Sequence, residues 1–266
     1  IVQGFGETGA ALVESSVDKV IFTGSPGIGR LVARGASKCL TPCVLELGGK
    51  DPIVVTDDVV VSEVVQAAVR GALQNAGQNC IGLERFYVYD EVYDEFVDKI
   101  VDIVSKVRVG PPLHEDGSWN EDVDMGSLTT LAQLEHVEEL VEDAVVNGAT
   151  IEFGGKALRD KAGIFFQPTI LTGVTHDMRI ANEEVFGPVI TIIRVSGGDE
   201  EAISMVNSTQ YGLGSNVFCR DLARANAFAA RIRAGMVNVN DFALNYMVQG
   251  LPFGGVGESG YGRFSG

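Results

Sequence analysis

Residues 19–29 read KVIFTGSPGIG, and this stretch decides the fold class. Its first part, Lys19 to Thr23, is a short apolar run rich in β-branched residues, which predicts a buried strand. A glycine-rich turn over Gly24 to Gly29 follows, and Arg30 to Lys38 then has a helical pattern. A helical pattern also precedes this unit, and a strand pattern over residues 43–47 follows it. The alternation predicts an α/β fold in which helices cover a parallel sheet.

The rest of the chain continues this alternation without an internal repeat. Helical patterns cover residues 62–75, 92–107, 131–147, 200–208 and 222–232, and extended patterns cover residues 86–89, 165–171, 189–195 and 234–240. The chain has 266 residues, of which 45% are apolar, so it is long enough for one large domain or two smaller ones with a buried core.

Composition excludes several classes of partner. The formal net charge is −16, and a surface of that sign repels a phosphate backbone, so we expect no nucleic-acid partner. No apolar run is long enough to span a membrane and no signal-peptide pattern opens the chain, which leaves a cytoplasmic or an organellar location open.

The cysteines include no CxxC pair, and His114, His136 and His176 are scattered among polar residues. We therefore expect no metal site, and we expect each histidine at the surface.

The glycine-rich turn is a candidate phosphate-binding site. Glycine lets the backbone approach a ligand closely, and a helix N-terminus offers free N–H groups with a partial positive charge. The pyrophosphate of a dinucleotide would suit that place. The spacing differs from GxGxxG, so an ordinary turn between a strand and a helix is an equal alternative.

A carboxylate and a thiol are the candidate reactive groups. Glu46 lies at the end of a predicted strand, before Gly48 and Gly49, where α/β sheets bind ligands, and a partly buried carboxylate can serve as a general base. A simple ion pair with Lys50 or with a nearby arginine is the alternative. Cys80 follows a glycine turn flanked by amides, but most single cysteines are inert, and no histidine lies nearby in sequence to activate it.

Taken together and in this order, these motifs resemble the aldehyde dehydrogenase superfamily. Two further blocks agree with the resemblance, Glu183 to Pro188 and Pro252 to Arg263, and Cys80 follows Glu46 by 34 residues as in that family. The resemblance covers essentially the whole chain. Residues 240–242 and 245–247 look most like the plant family-22 type and its fungal relatives.

The resemblance implies an oxidoreductase that converts an aldehyde to a carboxylic acid with NAD or NADP. Cys80 would be the nucleophile that forms a thiohemiacetal and then a thioester, and its backbone N–H would donate to the oxyanion. Glu46 would activate the water that hydrolyses the thioester. The implied cofactor-binding residues are Gly24, Ser25 and Gly29 at the pyrophosphate turn, Leu47 and Gly48 near the nicotinamide ring, Glu184 at its ribose and Phe186 beside it. For Phe186, a place in the core is the alternative.

The resemblance also implies the domain organisation. Residues 1–46 would be the C-terminal part of a Rossmann-type NAD-binding domain, residues 47–239 a parallel-sheet catalytic domain, and residues 240–266 a glycine-rich tail across the cleft. Members of the family are usually homodimers or homotetramers, so we expect one of these assemblies for the full-length protein.

Two departures from the family pattern bear on activity. The chain begins with Ile1 and lacks the upstream half with its Pro-Trp-Asn block, so we expect it to be an excerpt of a longer protein or a fragmentary gene product. Loss of one oxyanion donor typically costs ~10²–10³ in rate, and this chain alone is expected to bind cofactor poorly. In the last block, Gly257 replaces a lysine that many relatives carry.

Other readings of the same residues stay open. A relative that acylates coenzyme A typically lacks the glutamate, so Glu46 argues against it. A cysteine-dependent esterase would need only Cys80 and Glu46, and a non-catalytic remnant could serve as an interaction domain. The aldehyde itself, and the choice between NAD and NADP, are not defined by these residues.

Overall fold

The computed structural model describes residues 1–159, 161 and 163–265. The helices are α1 (Gly6–Val13), α2 (Pro26–Ser37), α3 (Val61–Leu73), α4 (Asp90–Val104), α5 (Leu131–Val146), α6 (Arg179–Asn182), α7 (Gly198–Asn207), α8 (Leu222–Ala229) and α9 (Leu244–Met247). The strands are β1 (Val20–Gly24), β2 (Cys43–Leu47), β3 (Asp51–Val55), β4 (Leu83–Tyr89), β5 (Thr150–Phe153), β6 (Thr169–Thr172), β7 (Val189–Val195), β8 (Asn216–Phe218), β9 (Asn238–Val239) and β10 (Gly260–Tyr261). Short 3-10 turns cover Gln74–Gly77 and Gly257–Ser259.

The smaller sheet joins the start of the chain to its tail. Strand β1 pairs in parallel with β2, and β10 pairs antiparallel with the other edge of β2, where Gly260 lies opposite Glu46. Ser259 reinforces this link, because its buried hydroxyl donates to the Gly48 carbonyl oxygen at 2.6 Å and accepts from Gly212 N at 3.1 Å. The tail is thus fixed against the strand that carries Glu46.

The larger sheet holds the core of the described chain. Its strand order is β5-β6-β7-β4-β3-β8-β9, with parallel pairs throughout except for the antiparallel edge strand β5. Every residue of β3 and β4 is buried, because helices cover both faces of a parallel sheet. Helices α3, α4 and α5 pack their apolar stripes on it.

The chain segment that connects the smaller sheet to the larger sheet is short. Strand β2 ends at Leu47 and β3 begins at Asp51, so only Gly48, Gly49 and Lys50 connect them. A Cβ on Gly49 would collide with the carbonyl oxygen of Cys80, so glycine alone permits this approach. The connection therefore brings the carboxyl end of β2 against the cysteine loop.

The predicted α/β fold is confirmed, with differences in detail. The stretch predicted as a glycine-rich turn is largely the first turn of α2, because Ser25 caps the helix and Pro26 occupies its first position. The sequence patterns missed β5, β8 and β10, which are short, and β3, which opens with Asp51 and Pro52. The strand predicted over residues 19–23 forms as β1, but the expectation that it is buried is wrong, because β1 is the edge of the smaller sheet. None of the described helices is long and apolar enough to cross a lipid bilayer.

Candidate active site

A cavity of about 370 Å³ lies at the carboxyl ends of β1 and β2. Its lining residues are Thr23, Gly24, Ser25, Glu46, Leu47, Gly48, Cys80, Gln133, His136, Glu184 and Phe186. The structure thus brings together in one cavity the two candidate reactive groups, Cys80 and Glu46, which are distant in the sequence. It also brings to them all the candidate cofactor residues except Gly29.

Glu46 is buried in this cavity and is not part of an ion pair with Lys50. Its side chain is 3% exposed, and Oε1 has no hydrogen-bond partner among the described residues. The alternative pairing is wrong because the Lys50 ammonium binds Glu84 instead, with 2.6 Å between Nζ and Oε2. A buried carboxylate oxygen without a donor is costly for stability, so its retention here points to a function.

The loop before Cys80 has an unusual backbone. Asn75 and Ala76 both have φ of 56°, and Gly77 has φ of 73°, so three consecutive residues are left-handed. For residues other than glycine, this conformation costs about 1–2 kcal/mol each. Side-chain amides hold the loop, since Asn75 Nδ2 donates to the Gln78 carbonyl oxygen and Gln78 Nε2 donates to that of Asn75. The sharp bend places the partly buried Cys80 at the cavity wall.

The electrostatics of the cavity keep the Cys80 thiol protonated. Burial raises the pKa of this thiol, and the negative charge of Glu46 raises it further. Asp51 and Glu184 add smaller effects in the same direction. A thiol in this state needs a base to become a nucleophile, and Glu46 is the carboxylate with the largest effect on it.

The N-terminus of α2 forms another wall of the cavity. Ser25 caps this helix of 12 residues, and Gly24 and Ser25 both line the cavity. Gly29 does not line it but packs against the Leu47 side chain, where a Cβ would lie 2.6 Å from Cδ2. The free N–H groups and the dipole of the first helical turn fit the phosphates of a dinucleotide.

Glu184 and Phe186 form a further part of the cavity wall. Glu184 Oε1 accepts from Gly49 N at 2.9 Å, and Phe186 is left-handed with φ of 49°. Burial, and next the charge of Glu84, raise the pKa of the Glu184 carboxyl to about 7. From α5, Gln133 Nε2 donates to the carbonyl oxygens of Val185 and Phe186, so side chains from other elements hold this segment in place.

The expectation of surface histidines is correct for His114 and wrong for the other two. His136 Nε2 lies 3.1 Å from the Glu184 carbonyl oxygen, and its half-buried ring lines the cavity. His176 is half-buried and stacks on Tyr87, with 5.7 Å between ring centroids. In the described part of the chain, no group of acidic, histidine or cysteine side chains has the arrangement of a metal site.

Sequence reasoning missed several residues of the cavity. Thr23 precedes the glycine-rich stretch directly, and that proximity was a usable signal. Gln133 and His136 lie three residues apart on α5, so the helical period places both on one face. Nothing in the local sequence indicated which element that face would meet.

Cys80 also lines a second cavity. This one measures about 310 Å³ and is lined by Gln74, Asn75, Gln78, Asn79, Cys80, Ile81, Tyr246 and Phe253. Of the described residues, only Cys80 lines both cavities. Cys80 therefore lies between the two cavities.

Comparison with known proteins gives a consistent result. The profile of the aldehyde dehydrogenase family matches residues 1–266. An aldehyde dehydrogenase-like protein of Schizosaccharomyces pombe is 42% identical over 255 residues, which are 95% of this chain and 47% of that protein. A succinate-semialdehyde dehydrogenase (NADP+) of Mycobacterium bovis is 42% identical over 258 residues, covering 97% of this chain and 54% of its own. The NAD+ complex of a Bacillus cereus aldehyde dehydrogenase has a TM-score of 0.90 at 35% identity, covering 98% of this chain and 51% of that one. The chain spans about half the length of the relatives it matches.

Proposed function

The chain belongs to the aldehyde dehydrogenase family, and from that premise we propose that the protein oxidises an aldehyde to a carboxylic acid with NAD+ or NADP+. One observation carries the proposal. Cys80 and Glu46 share a cavity with the N-terminus of α2 and with Glu184 and Phe186. A nucleophile, a base and a fitting place for a dinucleotide are thus within reach of one another.

The first step uses Cys80 and Glu46. Glu46 accepts the thiol proton, and the sulfur attacks the aldehyde carbon, so that a C–S bond forms and the carbonyl oxygen becomes the alkoxide of a thiohemiacetal. The Cys80 backbone N–H stabilises the charge on that oxygen. Glu46 then releases its proton to solvent and is again a base.

Hydrolysis completes the reaction. A bound nicotinamide supplies the acceptor for the hydride that leaves the thiohemiacetal carbon, so a thioester remains on Cys80. Glu46 removes a proton from water, the hydroxide oxygen bonds to the thioester carbon, and the C–S bond breaks. The carboxylic acid leaves, and the sulfur recovers a proton. Cys80 belongs to both cavities, which supports entry of the aldehyde from the one lined by Tyr246 and Phe253.

The residues that would hold the dinucleotide follow from the same cavity. The first turn of α2, with Gly24 and Ser25 before it, would hold the pyrophosphate, and Gly29 would support that turn through its packing on Leu47. Glu184 would accept from the nicotinamide ribose, and Phe186 would flank the ring beside Leu47 and Gly48. The NADP+ in the name of the M. bovis relative and the NAD+ in the B. cereus complex support both cofactors as candidates.

We also propose the finer assignments. The plant family-22 type with its fungal relatives is supported by residues 240–242 and by the similarity to the S. pombe protein. The three-part organisation, 1–46, 47–239 and 240–266, is supported by the separate sheets that β2 and β3 enter. A homodimer or homotetramer of the full-length protein remains part of the proposal.

The test uses the natural protein that contains this chain, assayed for reduced nicotinamide with NAD+ and NADP+ against a panel of aldehydes that includes succinate semialdehyde. Cys80→Ala is expected to abolish turnover. Glu46→Gln is expected to lower turnover by about 10²–10⁴ without a fast initial release of reduced nicotinamide, because both thiol deprotonation and thioester hydrolysis lose their base. Cys219→Ala, which changes a thiol outside the cavity, is the matched control. Parent-like turnover by the Cys80 variant would refute the mechanism.

Thiol labelling separates the enzyme from the alternatives. An aldehyde or a dinucleotide should slow the alkylation of Cys80 if both bind beside it. Hydrolysis of a nitrophenyl ester without any response to dinucleotide would favour the esterase, and labelling that neither ligand slows would favour a non-catalytic remnant.

A further inference from the structure

A buried ion pair lies directly behind the candidate site. Lys50 and Glu84 are 1% and 4% exposed, and the Lys50 Nζ lies 2.6 Å from Glu84 Oε2. Lys50 ends the connection from β2, and Glu84 is the second residue of β4. The proposed reaction gives neither residue a role, although burying two charges is expensive unless their further hydrogen bonds are all made.

The remaining hydrogen bonds of Glu84 go to the backbone of the cofactor wall. Its Oε2 accepts from Val185 N at 2.8 Å, and its Oε1 accepts from Phe186 N at 2.9 Å. A carboxylate that is paired with an ammonium and accepts two amide protons is fully satisfied. Glu84 therefore fixes the backbone at the very residues whose neighbours Glu184 and Phe186 line the cavity.

This backbone needs such support because Phe186 is left-handed, with φ of 49°. A bulky residue keeps that conformation only where the surroundings determine it. Gln133 holds the carbonyl oxygens of the segment, whereas Glu84 holds its N–H groups. A second link runs from the Gly49 N–H, next to Lys50, to the Glu184 carboxylate. The segment and the Gly49–Lys50 connection are thus closed into one hydrogen-bonded ring.

We propose that Glu84, with Lys50 as its counter-ion, is a positioning residue that holds Glu184 and Phe186 in the conformation that binds the dinucleotide. The inference rests on the proposed function. Glu84 contacts no reacting atom in this arrangement and acts through the backbone of residues 185 and 186.

Two double variants test this role without leaving a buried charge unpaired, since breaking such a pair is strongly destabilising. Glu84→Gln with Lys50→Met removes both charges and keeps an acceptor oxygen for the amides. Glu84→Leu with Lys50→Met removes the charges and the acceptor. The dissociation constants of NAD+ and NADP+, measured by calorimetry on the natural protein, are expected to stay within about threefold in the first variant and to rise about tenfold or more in the second.

Two further readouts separate positioning from general stability. The KM for the dinucleotide should rise only in the second variant while kcat changes by less than about threefold, because the defect lies in binding. Hydrogen exchange at the amides of Val185 and Phe186, measured without cofactor, should speed up only in the second variant. Equal weakening in both variants, or no weakening in either, would overturn the proposal.

If the proposed oxidoreductase function is wrong, these measurements give a different set of results from those expected if only the positioning role is wrong. A parent protein that binds neither dinucleotide refutes the oxidoreductase, whereas the exchange measurement still decides whether Glu84 holds the segment. Unchanged exchange in the Glu84→Leu with Lys50→Met variant would refute the positioning role independently of any catalysis.

Discussion

At the scale of single residues, the candidate site is defined by several buried carboxylates that lie close to one another and to the Cys80 thiol. The Glu46 carboxylate lies beside the Cys80 thiol. The Glu184 carboxylate accepts a hydrogen bond from Gly49 N, and the Glu84 carboxylate pairs with the Lys50 ammonium. Only one of these carboxylates has an ammonium partner. Burial, and next the charge of Glu84, raise the pKa of Glu184 to about 7, so this carboxylate changes charge near neutral pH.

This crowding predicts a pH dependence of cofactor binding. Glu184, with a pKa of about 7, is neutral below that pH and ionised above it, and an ionised carboxylate is the stronger acceptor for ribose hydroxyls. The dissociation constant of the dinucleotide should therefore fall up to about tenfold between about pH 6 and about pH 8. The titratable or charged groups around Glu184 are Glu84, Lys50, Glu46, Asp51, Cys80, Tyr211 and His136.

Glu184→Gln is the control for this prediction, because an amide has no charge to gain. Calorimetry across that pH range should give a flat dissociation constant for the variant. An equally steep change in the variant would assign the effect to another group, and His136→Gln would show whether that group is the histidine.

At the scale of elements, the loop from Gln74 to Cys80 depends on one glutamine. Gln78 Oε1 accepts from Thr129 N and from Thr129 Oγ1, both at 2.9 Å, and its Nε2 donates to the carbonyl oxygens of Asn75 and Ser127. Its amide thus ties a strained loop to the segment before α5. Together with the Asn75 side chain, which donates to the Gln78 carbonyl oxygen, it holds three left-handed residues in succession.

Gln78→Leu is accordingly expected to release the loop. The variant should lose about 1–3 kcal/mol of unfolding free energy in denaturant titration, and it should lower kcat/KM about tenfold because Cys80 loses its fixed position. Gln74→Leu is the matched control, since Gln74 is exposed in the same loop. A Gln78 variant with parent-like activity and stability would show that the left-handed turn is held by something else.

Sequence patterns predicted the elements well where apolar runs were long. The run over residues 189–195 gave β7 with its observed bounds, since a buried parallel strand is apolar on both faces. They failed for β8, whose three residues are too few to show a period. Glu46 and Cys80 could be singled out only because several motifs in order resemble the aldehyde dehydrogenase superfamily, since each residue alone favoured an ion pair or an inert thiol. Glu84 could not, because its function depends on amides of residues 185 and 186 about a hundred residues downstream, and such a contact leaves no local signature.

At the scale of the whole molecule, the two sheets differ in how well they are covered. The larger sheet has helices on its faces, whereas β1 is the edge of the smaller sheet in the described chain. Ile21 on that edge strand is 63% exposed, and Ile28 and Leu31 on α2 are 50% and 57% exposed. An open strand edge beside exposed apolar side chains is a surface that pairs with other chains.

The 266-residue chain produced alone is therefore expected to self-associate as its concentration rises. Ile21→Lys should reduce that association, measured by sedimentation velocity, because a charge on an edge strand opposes strand pairing. Val146→Lys is the matched control, since Val146 is an exposed apolar residue at the end of α5, away from β1. Equal effects of the two lysines would mean that added positive charge alone, in a chain of net charge −16, governs association. An effect confined to Ile21 would locate the contact at the β1 edge, next to the helix terminus proposed to bind the dinucleotide.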